Sequence, residues 1–167
     1  MLFLCTGNAC RSQLAEGWLR NLAGDRFEAL SAGTEPHGLN PRAVATMAEL
    51  GLDIASQRSE HLDAHLPPAA APLDLVIAVC DHAAESCPTL PGVAILRWPF
   101  PDPAPGGVDV GADEATTMAA FAAVRDSIRA RIEAWLAAGA PLDGSDPATN
   151  ETALAPSTSP TEPGPCA

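Results

Sequence analysis

The chain contains no lysine and no tyrosine, only four Phe and three Trp, and no apolar run near the roughly 20 residues that a bilayer span requires. Every side-chain cation is therefore an arginine or a protonated histidine. Nine Arg face 21 Asp and Glu, for a formal net charge of −12. That balance excludes nucleic acid as the expected partner, since phosphate contacts need clustered Lys and Arg. It also means that an anionic substrate would have to be drawn by a small positive site inside a negative protein. The opening Met1-Leu2-Phe3-Leu4 is too short for a signal segment and has no basic flank. A cytoplasmic location with no membrane association is the expectation. Cys5, Cys10, Cys80, Cys87 and Cys166 form an odd set without a secretory signal. In a reducing compartment they point to catalytic or redox thiols rather than a disulfide framework.

What is present divides near residue 140. Residues 140–167 are Pro, Ser, Thr, Ala and acidic, without an aromatic ring. They are expected to form a disordered tail, with Cys166 a mobile thiol at its end. Residues 1–139 are long enough for one domain with a real core. Leu2-Phe3-Leu4 reads as a buried strand ending at Cys5. From Ser12, Leu14, Trp18 and Leu22 recur at helical spacing, with Gly24 as a stop. Residues 27–31 read as a second strand. Asn40-Pro41 opens a helix carrying Val44, Met47 and Leu50, closed near Gly51. The run 74–79 is continuous and apolar, as a central parallel strand should be. Residues 93–96 form a weaker strand, and 112–138 a long helix with Phe121, Val124, Ile128, Ile132 and Trp135 on one face. Strands separated by helices predict a three-layer α/β/α domain on a four-stranded parallel sheet. Ligands in such sheets sit at the carboxyl ends of the strands, where Cys5, Cys80 and the loop after Leu96 all fall.

The segment Cys5-Thr6-Gly7-Asn8-Ala9-Cys10-Arg11-Ser12 lies between a strand and a helix. Its length allows a tight loop whose N–H groups converge, with Gly7 and Asn8 suited to left-handed backbone. The following helix adds the positive end of its dipole. A tetrahedral oxyanion would bind across residues 6–12 and take a bidentate contact from Arg11. The same field should lower the pKa of Cys5 and arm it as a nucleophile. Ser12 would either donate to that sulfur or cap the helix.

The run from Cys5 through Gln13-Leu14-Ala15-Glu16-Gly17-Trp18 resembles the thioredoxin-coupled arsenate reductases, which share the low-molecular-weight protein tyrosine phosphatase fold. The likeness continues through Ser31-Ala32-Gly33-Thr34 and 37–43, and covers about 135 residues without the tail. Phosphatases of this fold usually carry Pro where Gln13 stands.

Cys80 ends the strongest strand, and 81–86 is helix-compatible before Pro88. If that stretch is helical, Cys80 and Cys87 stand about 10.5 Å apart along its axis. A disulfide needs Cα atoms within about 7 Å, so pairing them requires the helix to unwind. Two unrelated buried thiols are the plainer alternative. Zinc is disfavoured, with no C-x2-C pair and only His82 nearby; His37, His61 and His65 show no metal spacing either. The resemblance implies a relay in which Cys5, Cys80 and Cys87 act in turn.

Phe100-Pro101-Asp102-Pro103 follows the last strand. On its own this is a common turn; the resemblance gives Asp102 the role of general acid. A phosphotyrosine-reading member would carry an aromatic residue just beyond, where this chain has Ala104-Pro105-Gly106-Gly107. Some reductases of this family hold a potassium ion beside the loop. The matching positions are Asn8, Glu16, Ser31 and Glu60, the last one methylene longer than the family's Asp. The plainer alternative has Asn8 fixing the loop and Glu16 on the surface.

The resemblance implies an arsenate reductase recycled by thioredoxin, with a monomer as the default for the fold and no bound organic cofactor; glutaredoxin and mycothiol systems are the alternative donors. Weak phosphatase activity would be a natural side reaction of the same cradle. A low-molecular-weight phosphatase using Cys5, Arg11 and Asp102 is the alternative. A non-enzymatic redox sensor or oxyanion-binding protein is a third.

Overall fold

A computed structural model describes residues 1–104, 113–146 and 151–152. Four strands, β1 (Leu2–Cys5), β2 (Leu30–Gly33), β3 (Leu75–Ala78) and β4 (Ala94–Arg97), form one sheet in the order β2-β1-β3-β4. All three pairings are parallel, with Leu4 opposite Ala32 and Ala78. Every residue of β1 and β3 is buried. Successive strand residues face opposite sides, so the sheet is covered on both faces and the expected layered α/β architecture is present.

The helices are α1 (Arg11–Ala23), α2 (Pro41–Ala48), α3 (Asp81–Ser86) and α4 (Glu114–Ala137). Asn40 caps α2 by accepting from the Arg42 N–H, and Asp113 caps α4 by accepting from Thr116. α4 packs on α1 and α2, burying all five of its expected core residues. Its seam with α1 is pinned where Trp18 Nε1 donates to the Arg125 carbonyl at 3.1 Å. Gly24 ends α1 in ordinary helical backbone rather than a left-handed cap; a Cβ there would stand 2.4 Å from the Arg20 carbonyl.

Two differences from the sequence reading matter for the site. The second strand begins at Leu30, three residues later than expected, because Arg26 and Phe27 first close a turn on the Ala23 carbonyl. It therefore runs on to Gly33, against the Cys5 loop. The chain also makes a short 3-10 turn, Leu62–His65, where the sequence carries no periodic signal.

The expected boundary at 139/140 does not coincide with the end of packing. Ala140 turns the chain in left-handed backbone (φ 53°), and Trp135 Nε1 reaches the Pro141 carbonyl at 3.3 Å. Asp146 is 6% exposed, accepts from Trp98 Nε1 at 3.0 Å and pairs with Arg131. Ser145–Asp146 (β5) pairs antiparallel with Glu151–Thr152 (β6). The rest of the expected tail, Cys166 included, lies outside the described residues.

Candidate active site

The carboxyl ends of β1 and β3 and the segment after β4 converge on a cleft of about 640 Å³. Cys5, Cys10, Arg11, Cys80 and Asp102 all line it; Cys87 does not. The four described cysteines are all free thiols.

The loop between β1 and α1 is shaped from outside. The backbone N–H groups of Thr34, Glu35, His37 and Asn40 donate to the carbonyls of Cys5, Thr6, Gly7 and Ala9. Those carbonyls are thereby engaged from outside the loop, and the Asn8 N–H points at Cys5 Sγ at 3.1 Å. Asn8 takes the left-handed conformation (φ 44°), as expected of it; Gly7 does not. Gly7 instead leaves room for His37, whose Nδ1 would stand 3.0 Å from a Cβ there. Segment 34–40 carried no catalytic signal in the sequence, yet it shapes the cradle and supplies His37 and Asn40 to the cleft wall.

Cys5 is buried, with Ser12 Oγ 2.9 Å from its sulfur. Ser12 makes no cap bond, so its hydroxyl serves the thiol. The expected lowering of the Cys5 pKa is reversed. Burial pushes the thiol above its ordinary value and outweighs the opposing hydrogen bonds from Ser12 and Asn8, with Cys80 adding to the rise. Cys10 is raised as well, by burial, against the opposing charge of Arg11.

Arg11 donates to the Phe100 carbonyl at 3.1 Å and lies 3.4 Å from Asp102 Oδ2. These contacts join the start of α1 to the segment after β4 and present the guanidinium and the Asp102 carboxyl group to one space. Asp102 is further held by the Ala104 N–H on Oδ1 at 3.1 Å.

Cys80 stands at the N-terminus of α3 and Cys87 directly after its end. Thr6 Oγ1 lies 3.6 Å from Cys80 Sγ, tying the Cys5 loop to the second thiol. The helix between the two cysteines is intact. Cys87 is only partly buried; burial raises its thiol, against the field of Arg97.

Gln13 is buried and braces the loop. Its Nε2 contacts the carbonyls of Asn8 and Arg58 and Asn8 Oδ1, at 2.8 to 3.2 Å. Its Oε1 accepts from Gln57 at 2.7 Å.

Asn8, Glu16, Ser31 and Glu60, the expected potassium ligands, do lie in one region, but they do not fit a cation. Asn8 Oδ1 is taken by Glu60 N–H at 2.8 Å and by Gln13, while its amide nitrogen donates to Ser31 Oγ at 2.9 Å. Ser31 in turn donates to Glu16 Oε2 at 2.6 Å. The Glu60 carboxylate is engaged as well, its Oε2 lying 3.3 Å from His65 Nε2. The Arg20 guanidinium already sits on Glu16 Oε1. A metal ion there would face a guanidinium and be short of free oxygen atoms. Nor is Glu16 a surface residue, at 6% exposed. Among the described residues no cluster of three His, Cys, Asp or Glu is arranged to hold a metal.

A sequence profile for the low molecular weight phosphotyrosine protein phosphatases matches residues 1–143. The arsenate reductase of Halalkalibacterium halodurans is 46% identical over 138 residues, spanning 82% of this chain and 94% of that one. A solved arsenate reductase in a phosphate-binding state aligns with a TM-score of 0.62 at 28% identity, covering 82% and 95% of the two chains. A thioredoxin-dependent arsenate reductase of Corynebacterium glutamicum aligns with a TM-score of 0.58 at 26% identity, over 82% of this chain and 61% of that protein.

Proposed function

Because the chain belongs to the low molecular weight phosphotyrosine protein phosphatase family, and its 46% identical relative is an arsenate reductase, we propose that it reduces arsenate to arsenite through Cys5, Cys80 and Cys87. The observation that carries this reading is the second thiol. Cys80 lines the same cleft as Cys5, tied to its loop through Thr6. Hydrolysis of a phosphate ester needs no such thiol.

Arsenate binds in the cradle of residues 6–12 and against Arg11. Cys5 attacks arsenic as a thiolate. A bound arsenate dianion can take the proton of the raised thiol, since dianion plus thiol holds the same protons as monoanion plus thiolate. A hydroxyl leaves as water, protonated by Asp102. Cys80 thiolate then attacks Cys5 Sγ. The sulfur–arsenic bond breaks, its electron pair stays on arsenic as arsenite, and a Cys5–Cys80 disulfide remains. Cys87 attacks Cys80, frees Cys5 and leaves a Cys80–Cys87 disulfide for an external dithiol to reduce. Thioredoxin is the donor proposed, on the strength of the relative that depends on it.

No helix among the described residues is long and apolar enough to cross a membrane. The reading places the enzyme in the cytoplasm as a monomer, and calls on no organic cofactor.

The test is arsenate-dependent NADPH oxidation with thioredoxin and thioredoxin reductase, run beside glutaredoxin and mycothiol systems. Turnover with thioredoxin that disappears in Cys80→Ser is the expected result. Hydrolysis of an aryl phosphate with no arsenate turnover under any donor would assign the cleft to the phosphatase reaction instead.

A further inference from the structure

Behind the loop runs a hydrogen-bond chain that ends on a cation. Cys5 Sγ contacts Ser12 Oγ at 2.9 Å, and Asn8 Nδ2 donates to both Ser12 Oγ and Ser31 Oγ at 2.9 Å. Ser31 Oγ then donates to Glu16 Oε2 at 2.6 Å. The far carboxylate oxygen meets Arg20, one turn on along α1 and further steadied by the Ala29 carbonyl at 3.4 Å.

Each link fixes the direction of the next. An ionised Glu16 has no hydrogen to give, so Ser31 must donate to it and accept from Asn8. Asn8 is oriented by Gln13 and the Glu60 N–H on its carbonyl oxygen, so its two amide hydrogens serve the two serines. Ser12, accepting from Asn8, keeps its one hydrogen for Cys5.

The chain depends on how the buried charge of Glu16 is met. Burial raises the Glu16 carboxyl, while Ser31, Arg20 and the more distant His65 oppose the rise. Without a cation, two things could happen. Glu16 could stay charged and repel both the Cys5 thiolate and an incoming oxyanion. Or it could take a proton and donate to Ser31, turning the Ser31 hydrogen back on the Asn8 amide. Both outcomes hold back ionisation of Cys5.

We propose that Arg20 is a positioning residue for Cys5: its tethered guanidinium supplies, within the chain itself, the positive charge that a potassium ion would otherwise bring to Glu16, so that loop order and thiol reactivity do not depend on potassium. The assignment deepens the reading of Cys5 as nucleophile, and its test does not use arsenate.

The experiment follows Cys5 alkylation by iodoacetamide against pH, in the full-length protein with the other four cysteines changed to Ser. The groups facing the reporters are known: Arg20, His65 and Ser31 around Glu16, and Ser12, Asn8 and position 80 around Cys5. Arg20→Gln should move the alkylation midpoint up by about half a pH unit, slowing the reaction about threefold below it. Arg20→Lys should recover most of the loss. In a Glu16→Gln background, Arg20→Gln should add no further shift. The melting temperature of the wild-type protein should be equal in KCl and NaCl at one ionic strength. A specific rise in KCl, an unchanged pH profile in Arg20→Gln, or an undiminished shift in the Glu16→Gln background would each overturn the assignment. Absence of arsenate turnover would leave these readouts intact and bear only on the reaction.

Discussion

Gly33 and Asn8 lie so close that a Cβ on the glycine would stand 2.9 Å from the asparagine Cβ, and 2.6 Å from the Thr6 carbonyl. The end of β2 is thus the back wall of the anion cradle. Gly33→Ala should push the loop off its course. A stability loss of about 1–3 kcal/mol in urea denaturation is expected. Competitive inhibition by inorganic phosphate should weaken as well. An alanine variant of unchanged stability and phosphate affinity would show that the wall yields freely.

The raised thiols set a pH dependence. Only thiolate reacts, and the folded pKa of Cys5 lies above its ordinary value of roughly 8.5, so alkylation should keep rising through pH 9. Ser12→Ala removes an opposing hydrogen bond and should displace the curve further upward. The same shift bears on folding. A thiol whose folded pKa is raised contributes stability below the unfolded value and loses it as pH climbs through the folded one. Cys5 and Cys10 are both of this kind, so unfolding should become easier above about pH 8.5, by at most about 1.4 kcal/mol per pH unit for each. A plateau in alkylation near pH 7 would contradict this assignment.

Gln13→Ala should loosen Asn8, since one side chain serves two backbone carbonyls and an amide oxygen. A loss of about 2 kcal/mol in stability is expected. KM for arsenate should rise more than kcat falls, because the cradle rather than the thiol is disturbed. Equal loss in both would place Gln13 in the chemical step.

A chain ending at 139 should be less stable than one ending at 152. Removing Asp146 strands Trp98 Nε1 and Arg131, at a cost of about 3 kcal/mol, and Asp146→Ala alone should reproduce most of it. Chemical denaturation of the two truncations and the point variant decides the matter.

The sequence exposed the parts of this protein whose chemistry is local. Strand runs of continuous apolar residues, the helical spacing of Phe121 to Trp135 and the Asn40-Pro41 cap all carry their own signal, and the folded chain keeps them. Cys5, Arg11, Cys80 and Asp102 reach one cleft because parallel strands deliver their carboxyl ends to one edge. What stayed hidden depends on partners far along the chain. Arg20 reads as an ordinary surface arginine until Glu16 is known to be buried. Asp146 reads as tail until Trp98 and Arg131 are placed beside it. The sign of the Cys5 shift could not be read either: the motif suggests the attractive field around the sulfur but gives no measure of its burial.

If Cys80 and Cys87 form the proposed couple, the intact helix between them bears on its redox potential as well as on their distance. In the proposed relay the dithiol form keeps α3 folded and the disulfide form gives it up. Whatever free energy folds those six residues is therefore added to the driving force for reduction. About 1.4 kcal/mol of helix stability makes this two-electron couple more oxidising by about 30 mV. Glycine at Ala83 or Ala84 would weaken the helix and hold the enzyme longer as disulfide, a poorer electron acceptor for its donor. The length and composition of one short helix thereby tune how readily the enzyme is recharged.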